Sequence, residues 1–267
     1  MAVNIFENIV STKQQKTLLQ YYEQQDDVID SRPDVFSKTP IWDKTKNWPQ
    51  HTLKEILDSV LDLQYEAETV LFYSSLTSFR LHVDSGEGNQ SKLYKNILIP
   101  LWFDGPASTI IFKNKYYGAS TRFGHSNVSP FTYNIPDKQG KMVAIEDIRE
   151  LKDISTLNIT QEQLDDLILL RSGKKPNSDK PDRRTNDYTD VEGYDANLTF
   201  DKKIHAQYCE HIPIENLHGL TVDRIVEWKA GDVITFDRQQ LHCAGSGHTK
   251  KMGISVFTNH IHTKKEN

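Results

Sequence analysis

Two side chains that could bind a metal ion stand two residues apart in the segment Arg80-Leu81-His82-Val83-Asp84. Alternate side chains of a β-strand point to the same face, so a strand here would present His82 and Asp84 together. With ten histidines and 37 acidic residues among 267, about 1.4 such pairs are expected by chance. The pair is therefore informative only with a third ligand, and a histidine hydrogen-bonded to its neighbouring aspartate is the alternative interpretation.

A third candidate ligand, His242, follows a predicted strand in the C-terminal part of the chain. The sequence from Gly231 to Phe236 begins with a turn and continues with β-branched and aromatic residues, and small residues follow His242. Two imidazoles and one carboxylate on one side of a metal ion leave three positions open, which is the arrangement that iron(II) oxygenases need. A second histidine that met His82 and Asp84 in the fold would complete a metal site of this kind.

These features resemble the 2-oxoglutarate/Fe(II)-dependent oxygenase superfamily, and most closely its phytanoyl-CoA-dioxygenase-like members. In that family a strand that reads Gly-Asp-apolar-x-x-Phe precedes the third iron ligand, as the strand ending at Phe236 precedes His242. The resemblance implies that His82, Asp84 and His242 bind Fe(II) and leave positions for 2-oxoglutarate and O2. It covers the two strand-rich parts of the chain and is weaker over the rest.

The resemblance also implies a binding site for the far carboxylate of 2-oxoglutarate. The family places a basic residue on the strand after the third iron ligand, four residues before a serine, and Lys251 and Ser255 have this spacing. Their spacing puts both side chains on one strand face. Close relatives have arginine here, whereas lysine makes a point-charge contact in place of a two-pronged one. Lys250 would take this position if the strand register were shifted by one residue, and a solvated loop end is the other interpretation.

Under this interpretation the protein is a non-haem Fe(II), 2-oxoglutarate-dependent dioxygenase that hydroxylates a small molecule or an amino-acid side chain and releases succinate and CO2. Hydroxylation is favoured over halogenation because the halogenating relatives lack the carboxylate ligand that Asp84 supplies. The alternative is a cupin-like metal-binding jelly roll that acts as an isomerase or hydrolase, or a binding protein without catalysis. Lys251 with Ser255 favours the oxygenase, because a cupin needs no such pair.

Three further side chains are candidates for the pocket. In a strand from Tyr94 to Phe103, alternation puts Asn96 and Trp102 on one face. Asn96 could donate a hydrogen bond to the metal-binding carboxylate of 2-oxoglutarate, and Trp102 could either line the pocket or pack in the core. Arg80 could meet an anionic group of the substrate or cosubstrate, or pair with an acidic residue of the barrel.

The elements that must position these residues are mainly strands. Residues 68–135 and 202–262 are rich in β-branched and aromatic residues separated by turn residues, which predicts a double-stranded β-helix, that is, a cupin-like jelly roll. Residues 136–201 form a helical and loop insertion between barrel strands, where a lid over the substrate would lie. A helix is expected to begin there after a capping box at Thr160.

The N-terminal region, residues 1–67, is predicted to be helical and to pack outside the barrel. One helix begins after a Ser11 cap, and a second spans about Trp48 to Leu63, where apolar residues recur at three- and four-residue spacing. The whole chain, 1–267, is then a single α+β, mainly β domain.

The composition limits the partners and the compartment. The net charge is −5 with both signs interspersed, so no positive field would attract nucleic acid or an anionic membrane. The sequence lacks an apolar stretch long enough to span a bilayer, and its two cysteines are too few for a disulfide framework. We expect a cytoplasmic enzyme with a small-molecule substrate, whose identity and oligomeric state are left open.

Overall fold

The computed structural model describes residues 3–24, 30–32, 35–38, 50–62, 64–75, 78–85, 90–118, 122–124, 133–145, 153–165, 185–186, 188–247 and 250–261. The helices are α1 (Thr12–Glu23) and α2 (Gln50–Val60), with shorter helical turns at Gln90–Lys92, Lys202–Ile204, His205–Cys209 and Ile214–Leu217. The strands are β1 (Asn4–Phe6), β2 (Asp30–Arg32), β3 (Val35–Lys38), β4 (Tyr65–Ser75), β5 (Leu93–Phe103), β6 (Ser108–Lys115), β7 (Arg122–Phe123), β8 (Tyr133–Pro136), β9 (Met142–Ile145), β10 (Thr185–Asn186), β11 (Val222–Glu227), β12 (Val233–Asp237), β13 (Gln240–Ala244) and β14 (Lys251–His260).

Two antiparallel sheets make up the barrel. The large sheet has the strand order β1-β12-β5-β14-β4-β3-β2, and the small sheet has the order β11-β6-β13. A bridge between His82 and His242 adds the segment 78–85 to the small sheet beside β13. From β4 the chain passes to segment 78–85, back to β5, on to β6 and β11, and then alternately through β12, β13 and β14. This exchange between sheets is that of a double-stranded β-helix, so the predicted jelly roll is confirmed.

Apolar side chains fill the space between the two sheets. Leu98 on β5 and Ile234 and Phe236 on β12 form one cluster with Ile111 on β6 and Val226 on β11. These residues define the inner face of each strand, and the residues between them point outward because strand side chains alternate. The inner face of the barrel is therefore mainly apolar.

The N-terminal helices cover the outer face of the large sheet, as predicted. Leu18 of α1 and Leu53 of α2 belong to a cluster that includes Ile99, Ile254 and Val256 of the sheet. Besides these helices, the N-terminal region contributes β1, which pairs with β12 at the edge of the same sheet.

Sequence signals mark the helix boundaries. The backbone nitrogen of Gln14 donates to Ser11 Oγ at 3.3 Å, and Ser11 N donates to Gln14 Oε1 at 2.9 Å, which completes a capping box. The second helix, predicted from about residue 48 to 63, runs from Gln50 to Val60; residues 48, 49 and 63 lie outside the described ranges.

Part of the predicted insertion packs against the outer face of the small sheet. Tyr188, Val191 and Phe200 are buried in one cluster with Ile110 and Phe112 of β6. The capping box at Thr160 is present, since Thr160 N donates to Gln163 Oε1 at 2.8 Å and residues 161–165 are helical. Residues 146–152, 166–184 and 187, which include most of the predicted loop, lie outside the described ranges.

Among the helices described here, none has the length and apolar character that crossing a membrane would require.

Candidate metal centre

The three predicted ligands lie together at one level of the small sheet. His82 and His242 exchange two backbone hydrogen bonds of 3.0 Å, so they sit directly opposite each other on neighbouring strands. Asp84 follows two residues later, and its carboxylate oxygens lie 3.7 Å from His82 Nε2 and 3.0 Å from His242 Nε2. One ligand atom from each residue lies within 4.8 Å of the other two.

Backbone carbonyls fix the orientation of both imidazoles. His82 Nδ1 lies 2.7 Å from the carbonyl oxygen of Arg80, and His242 Nδ1 lies 2.9 Å from that of Gln240. A carbonyl oxygen only accepts, so each Nδ1 carries the proton and donates. In a neutral imidazole the other nitrogen, Nε2, then has a free lone pair, and both Nε2 atoms face Asp84. This is the tautomer that binds a metal ion through Nε2.

Charge within the site also suits a metal. Burial lowers the pKa of His82 to about 3, with a further contribution from the nearby His242, so His82 is neutral at ordinary pH. Burial raises the pKa of Asp84, but the neighbouring imidazoles and Arg238 lower it by more, so Asp84 is a carboxylate. A neutral imidazole and an ionised carboxylate are the protonation states that bind a metal ion.

The spacing of the ligand atoms fits a first-row divalent metal. Two ligands about 2.1 Å from a metal and at right angles to each other lie about 3 Å apart. The distance of 3.0 Å between His242 Nε2 and Asp84 Oδ2 has this value. The distance between His82 Nε2 and Asp84 Oδ1 is 3.7 Å, and a small rotation of the Asp84 carboxylate would shorten it to the same value. The donor set, two nitrogens and one oxygen on one side, therefore fits the group that the sequence predicts.

Two buried residues hold Asp84 in place. The side-chain nitrogen of Asn96, on β5, donates to Asp84 Oδ2. Arg238, which is 3% exposed, donates from Nε to the carbonyl oxygen of Asp84 at 2.9 Å and from Nη1 to Glu68 at 2.5 Å and Asn259 at 2.9 Å. Asp84 N in turn donates to the Arg238 carbonyl at 3.1 Å. Segment 78–85 is thus linked to strands β4, β5 and β14 of the large sheet.

Asn96 has a second feature of interest. It is 2% exposed, and its Oδ1 is buried without a hydrogen-bond partner in the described part of the chain. A buried acceptor of this kind requires a donor, such as a water molecule on a metal ion or a ligand group. The sequence predicted that Asn96 would donate to the cosubstrate, whereas here its nitrogen donates to Asp84.

Lys251 and Ser255 both lie on the inner face of β14. Lys251 pairs with Phe103, and Ser255 pairs with Leu98, and both partners belong to the inner cluster or pack against it. The Ser255 hydroxyl is hydrogen-bonded with Tyr73, whose ring packs against that cluster. Lys250 is exposed, and its carbonyl accepts a hydrogen bond from Asp104.

The ammonium group of Lys251 is buried without a counter-ion. The residue is 5% exposed, and Nζ lies 5.5 Å from the centre of the Trp228 ring. Within the described ranges no carboxylate forms an ion pair with it. Burial lowers the pKa of Lys251 to about 8. A buried cation of this kind is costly unless an anion completes the site.

The two weaker sequence candidates occupy different places. Arg80 lies close enough to His82 to lower its pKa, and its guanidinium carbon is 5.7 Å from the centre of the Phe79 ring. Trp102 lies beyond a β-bulge in β5 and pairs with Met252. Met252 packs against the cluster that the N-terminal helices form with the outer face of the large sheet. The alternation that predicted an inward Trp102 is interrupted at this bulge, and the side chain is 40% exposed.

Sequence reasoning missed three residues of the site: Tyr73, Trp228 and Arg238. Trp228 was visible as the residue before the turn from Lys229 to Asp232, but its contact with Lys251 depends on the tertiary fold. Arg238 lies in the turn between β12 and β13, where a charged residue ordinarily indicates exposure. Its own burial, 3% exposed, and its contacts with Asp84, Glu68 and Asn259 show otherwise.

Comparisons with known proteins give fold-level likenesses. No protein-family model and no curated protein matches the sequence. Among solved structures, the chain is similar to the non-heme alpha-ketoglutarate-dependent carbocyclase SnoK from nogalamycin biosynthesis, with 9% identity over 96% of this chain and 79% of that chain and a TM-score of 0.44. It is similar to EctD from S. alaskensis with 2-oxoglutarate and 5-hydroxyectoine, with 12% identity over 97% and 72% of the chains and a TM-score of 0.43. A prolyl hydroxylase from Trichoplax adhaerens shows 10% identity over 97% and 83%, with a TM-score of 0.38. Likenesses at these levels assign no family.

Proposed function

We propose that this chain is an Fe(II)- and 2-oxoglutarate-dependent dioxygenase that hydroxylates a small molecule and releases succinate and CO2. One observation carries the proposal: the Nε2 atoms of two imidazoles and a carboxylate converge at the same level of the barrel, which gives two nitrogens and one oxygen on one side of a possible metal ion. We further propose membership of the phytanoyl-CoA-dioxygenase-like subgroup and a cytoplasmic location, which stay predictions.

His82, Asp84 and His242 would hold the metal on one side. When bound, iron with 2-oxoglutarate and O2 supplies the oxidising chemistry. Asn96 and Arg238 orient the Asp84 carboxylate and its backbone, so the third ligand needs only a small rotation when a metal ion binds. The preset tautomers of the two imidazoles serve the same purpose.

Lys251 would bind the far carboxylate of 2-oxoglutarate, with the hydroxyls of Ser255 and Tyr73 beside it. The ion pair would form in an apolar interior lined by Leu98, Ile111 and Phe236, where electrostatic attraction is stronger than in water. The same apolar lining excludes bulk water from the position between Lys251 and the metal ligands. This explains why a lysine is buried where no acidic residue of the described chain reaches it.

A cupin-like isomerase or hydrolase could use the same three metal ligands with zinc or manganese. Such an enzyme has no use for an uncompensated lysine inside the barrel. The state of Lys251 therefore favours the oxygenase, and its variants separate the two functions.

The test is to load purified protein with Fe(II) and 2-oxoglutarate under nitrogen and then admit air. We expect a weak visible charge-transfer band before air is admitted and slow succinate release afterwards. Lys251→Ala should retain the metal and lose 2-oxoglutarate binding, whereas the neighbouring Lys250→Ala should behave as wild type. The proposed function is wrong if iron-loaded wild-type protein gives no charge-transfer band and releases no succinate.

A further inference from the structure

A row of four residues crosses the small sheet at the level of the metal centre. His82 pairs with His242, His242 pairs with Ile111 on β6, and Ile111 pairs with Arg224 on β11. Neighbouring strands lie about 4.8 Å apart, so the Cα atoms of His242 and Arg224 are separated by about 10 Å. Arg224 thus stands two strands away from the metal ligands, on the edge strand of the small sheet.

The side chain of Arg224 belongs to the inner face of that strand. Its pairing partner Ile111 and its neighbour at the next inner position, Val226, are both part of the cluster between the sheets. Ile225 packs with Ile110 in the cluster on the outer face, and strand side chains alternate. The guanidinium therefore projects over the same face that presents the two imidazoles.

Arg224 is exposed, although its neighbours at the inner positions are buried, and no ion pair or hydrogen bond engages its side chain in the described structure. Lys113 lies two residues beyond Ile111 on β6, and it is also exposed and unpaired within the same ranges. The pairings of β6 with β11 and with β13 both shift register around Lys113, so its position is given by its place along β6 and not by strand alternation. Among the described residues, Arg224 is therefore an unpaired cation at the inner face, and Lys113 is a second one near it.

Other basic residues at this end of the barrel already form ion pairs. Lys95 and Lys115 both bind Asp237, at 2.7 and 2.8 Å, and Arg238 binds Glu68 at 2.5 Å. The carboxylate next to Arg224, that of Asp223, instead accepts a hydrogen bond from Gln240 at 3.4 Å. Neither Arg224 nor Lys113 has an ion-pair partner among the described residues, so both are available to a ligand.

We propose that Arg224, assisted by Lys113, binds an anionic group, a carboxylate or a phosphate monoester, on the primary substrate. This inference rests on the proposed function and names the substrate class of the same site. The planar fork of arginine suits a two-pronged contact with either anion, and lysine adds a point charge. With the anion fixed at Arg224, a carbon several bonds away reaches the metal ligands, so substrate length becomes a determinant of the oxidised position.

The experiment uses wild-type protein loaded with Mn(II) and 2-oxoglutarate, which supports binding without turnover. Ligand-observed NMR then measures binding of small molecules in matched pairs: carboxylates with their primary amides, and phosphate monoesters with their parent alcohols. We expect anionic members of one class to bind and their neutral partners to bind at least about tenfold more weakly. If the carboxylates bind, the substrate is a carboxylate; if the phosphate monoesters bind, the substrate is phosphorylated.

Variants locate the contact. Arg224→Gln should weaken binding of the anionic member by about 10- to 100-fold, Lys113→Gln by less, and Arg224→Lys should restore part of the loss. Lys202→Gln removes an exposed cation away from the barrel and should leave binding unchanged. Equal binding of the neutral partners, binding that survives Arg224→Gln, or no binding by any anionic member overturns the proposal.

Failure of the proposed function gives a different result. Retention of 2-oxoglutarate is measured in the same samples before the panel is added, and its absence in wild-type protein counts against the oxygenase. Binding of the same small molecules is then measured with protein that holds no 2-oxoglutarate. Loss of that binding in Arg224→Gln still tests whether Arg224 binds an anionic ligand.

Discussion

His242 Nε2 lies 3.0 Å from Asp84 Oδ2, and the opposite ring nitrogen, Nδ1, donates to the Gln240 carbonyl. This separation is the one that two ligands at right angles on a divalent metal ion have, so the two atoms can bind a metal ion together. We therefore expect Mn(II) at one hundred times its dissociation constant to raise the melting temperature of chelator-treated protein by about 5 °C or more. Differential scanning fluorimetry measures the shift. His242→Ala should abolish it, and His51→Gln, at an exposed helical position, should not; an equal shift in His242→Ala would place the metal elsewhere.

Asn96 is expected to act on metal affinity through Asp84. Asn96→Ala removes the donor to Asp84 Oδ2 and frees the carboxylate to rotate, so Mn(II) should bind about 10- to 100-fold more weakly. Isothermal titration calorimetry gives the affinity. Asn114→Ala is a matched control, because Asn114 is equally buried but bonds to the backbone of Thr221 and Glu192. A similar loss of affinity in both variants would indicate general destabilisation.

Arg238 should contribute to both stability and metal binding. Arg238→Gln leaves the Asp84 carbonyl and the Asn259 side chain without their donor in a buried place, and we expect a loss of about 2–4 kcal/mol in the free energy of unfolding. Glu68 is 45% exposed, so Glu68→Gln should cost less than about 1 kcal/mol. Urea unfolding of the metal-free proteins checks these values. Equal losses in the two variants would mean that the ion pair, and not the contact with Asp84, matters.

Binding of 2-oxoglutarate should weaken as the pH rises above about 8. Burial lowers the pKa of Lys251 to about 8, and only the protonated amine pairs with a carboxylate. Above that pH the lysine must first take up a proton, which reduces the affinity by up to about tenfold per pH unit. Lys251→Arg stays charged and should bind with little pH dependence. Affinities measured from pH 6.5 to 9.5 test this, and a flat profile for the wild type would contradict it.

The same lysine should make the ligand-free protein more stable as the pH rises, whereas it makes 2-oxoglutarate binding weaker. Unfolding returns the pKa of Lys251 from about 8 to its ordinary value of 10.5, so the unfolded state binds more protons between these values. Stability should therefore rise with pH across this window and level off above it. Lys251→Met should remove the rise. A dependence that persists in Lys251→Met would come from another group.

The sequence was sufficient for features that follow from strand alternation. The joint orientation of His82 and Asp84, the common face of Lys251 and Ser255, and the jelly roll itself depend on local periodicity and on turn residues, both of which are readable along the chain. The two N-terminal helices were predictable for the same reason, because their apolar spacing, and the Ser11 cap of the first helix, lie within short segments.

Features that depend on pairing between distant strands were not predictable. An extra residue near Leu101 changes the register between β5 and β14 and turns Trp102 away from the inner face, and no local pattern marks such a bulge. The roles of Tyr73 and Arg238 likewise depend on partners far along the chain. Arg224 shares this property, since its alignment with His242 exists only through their common partner Ile111.

Strand β6 has a different set of neighbours on each side. Its inner residue Ile111 stands between His242 and Arg224, while Ile110 and Phe112 are packed behind it against residues such as Phe200 and Leu217. β6 thus separates the candidate metal centre from the core beneath residues 188–220. Under the proposed function, a smaller side chain on the core side of β6 would change the distance between the metal ligands and Arg224 on the other side. Substitutions that touch neither ligand nor metal could in this way retune which carbon of a substrate is oxidised.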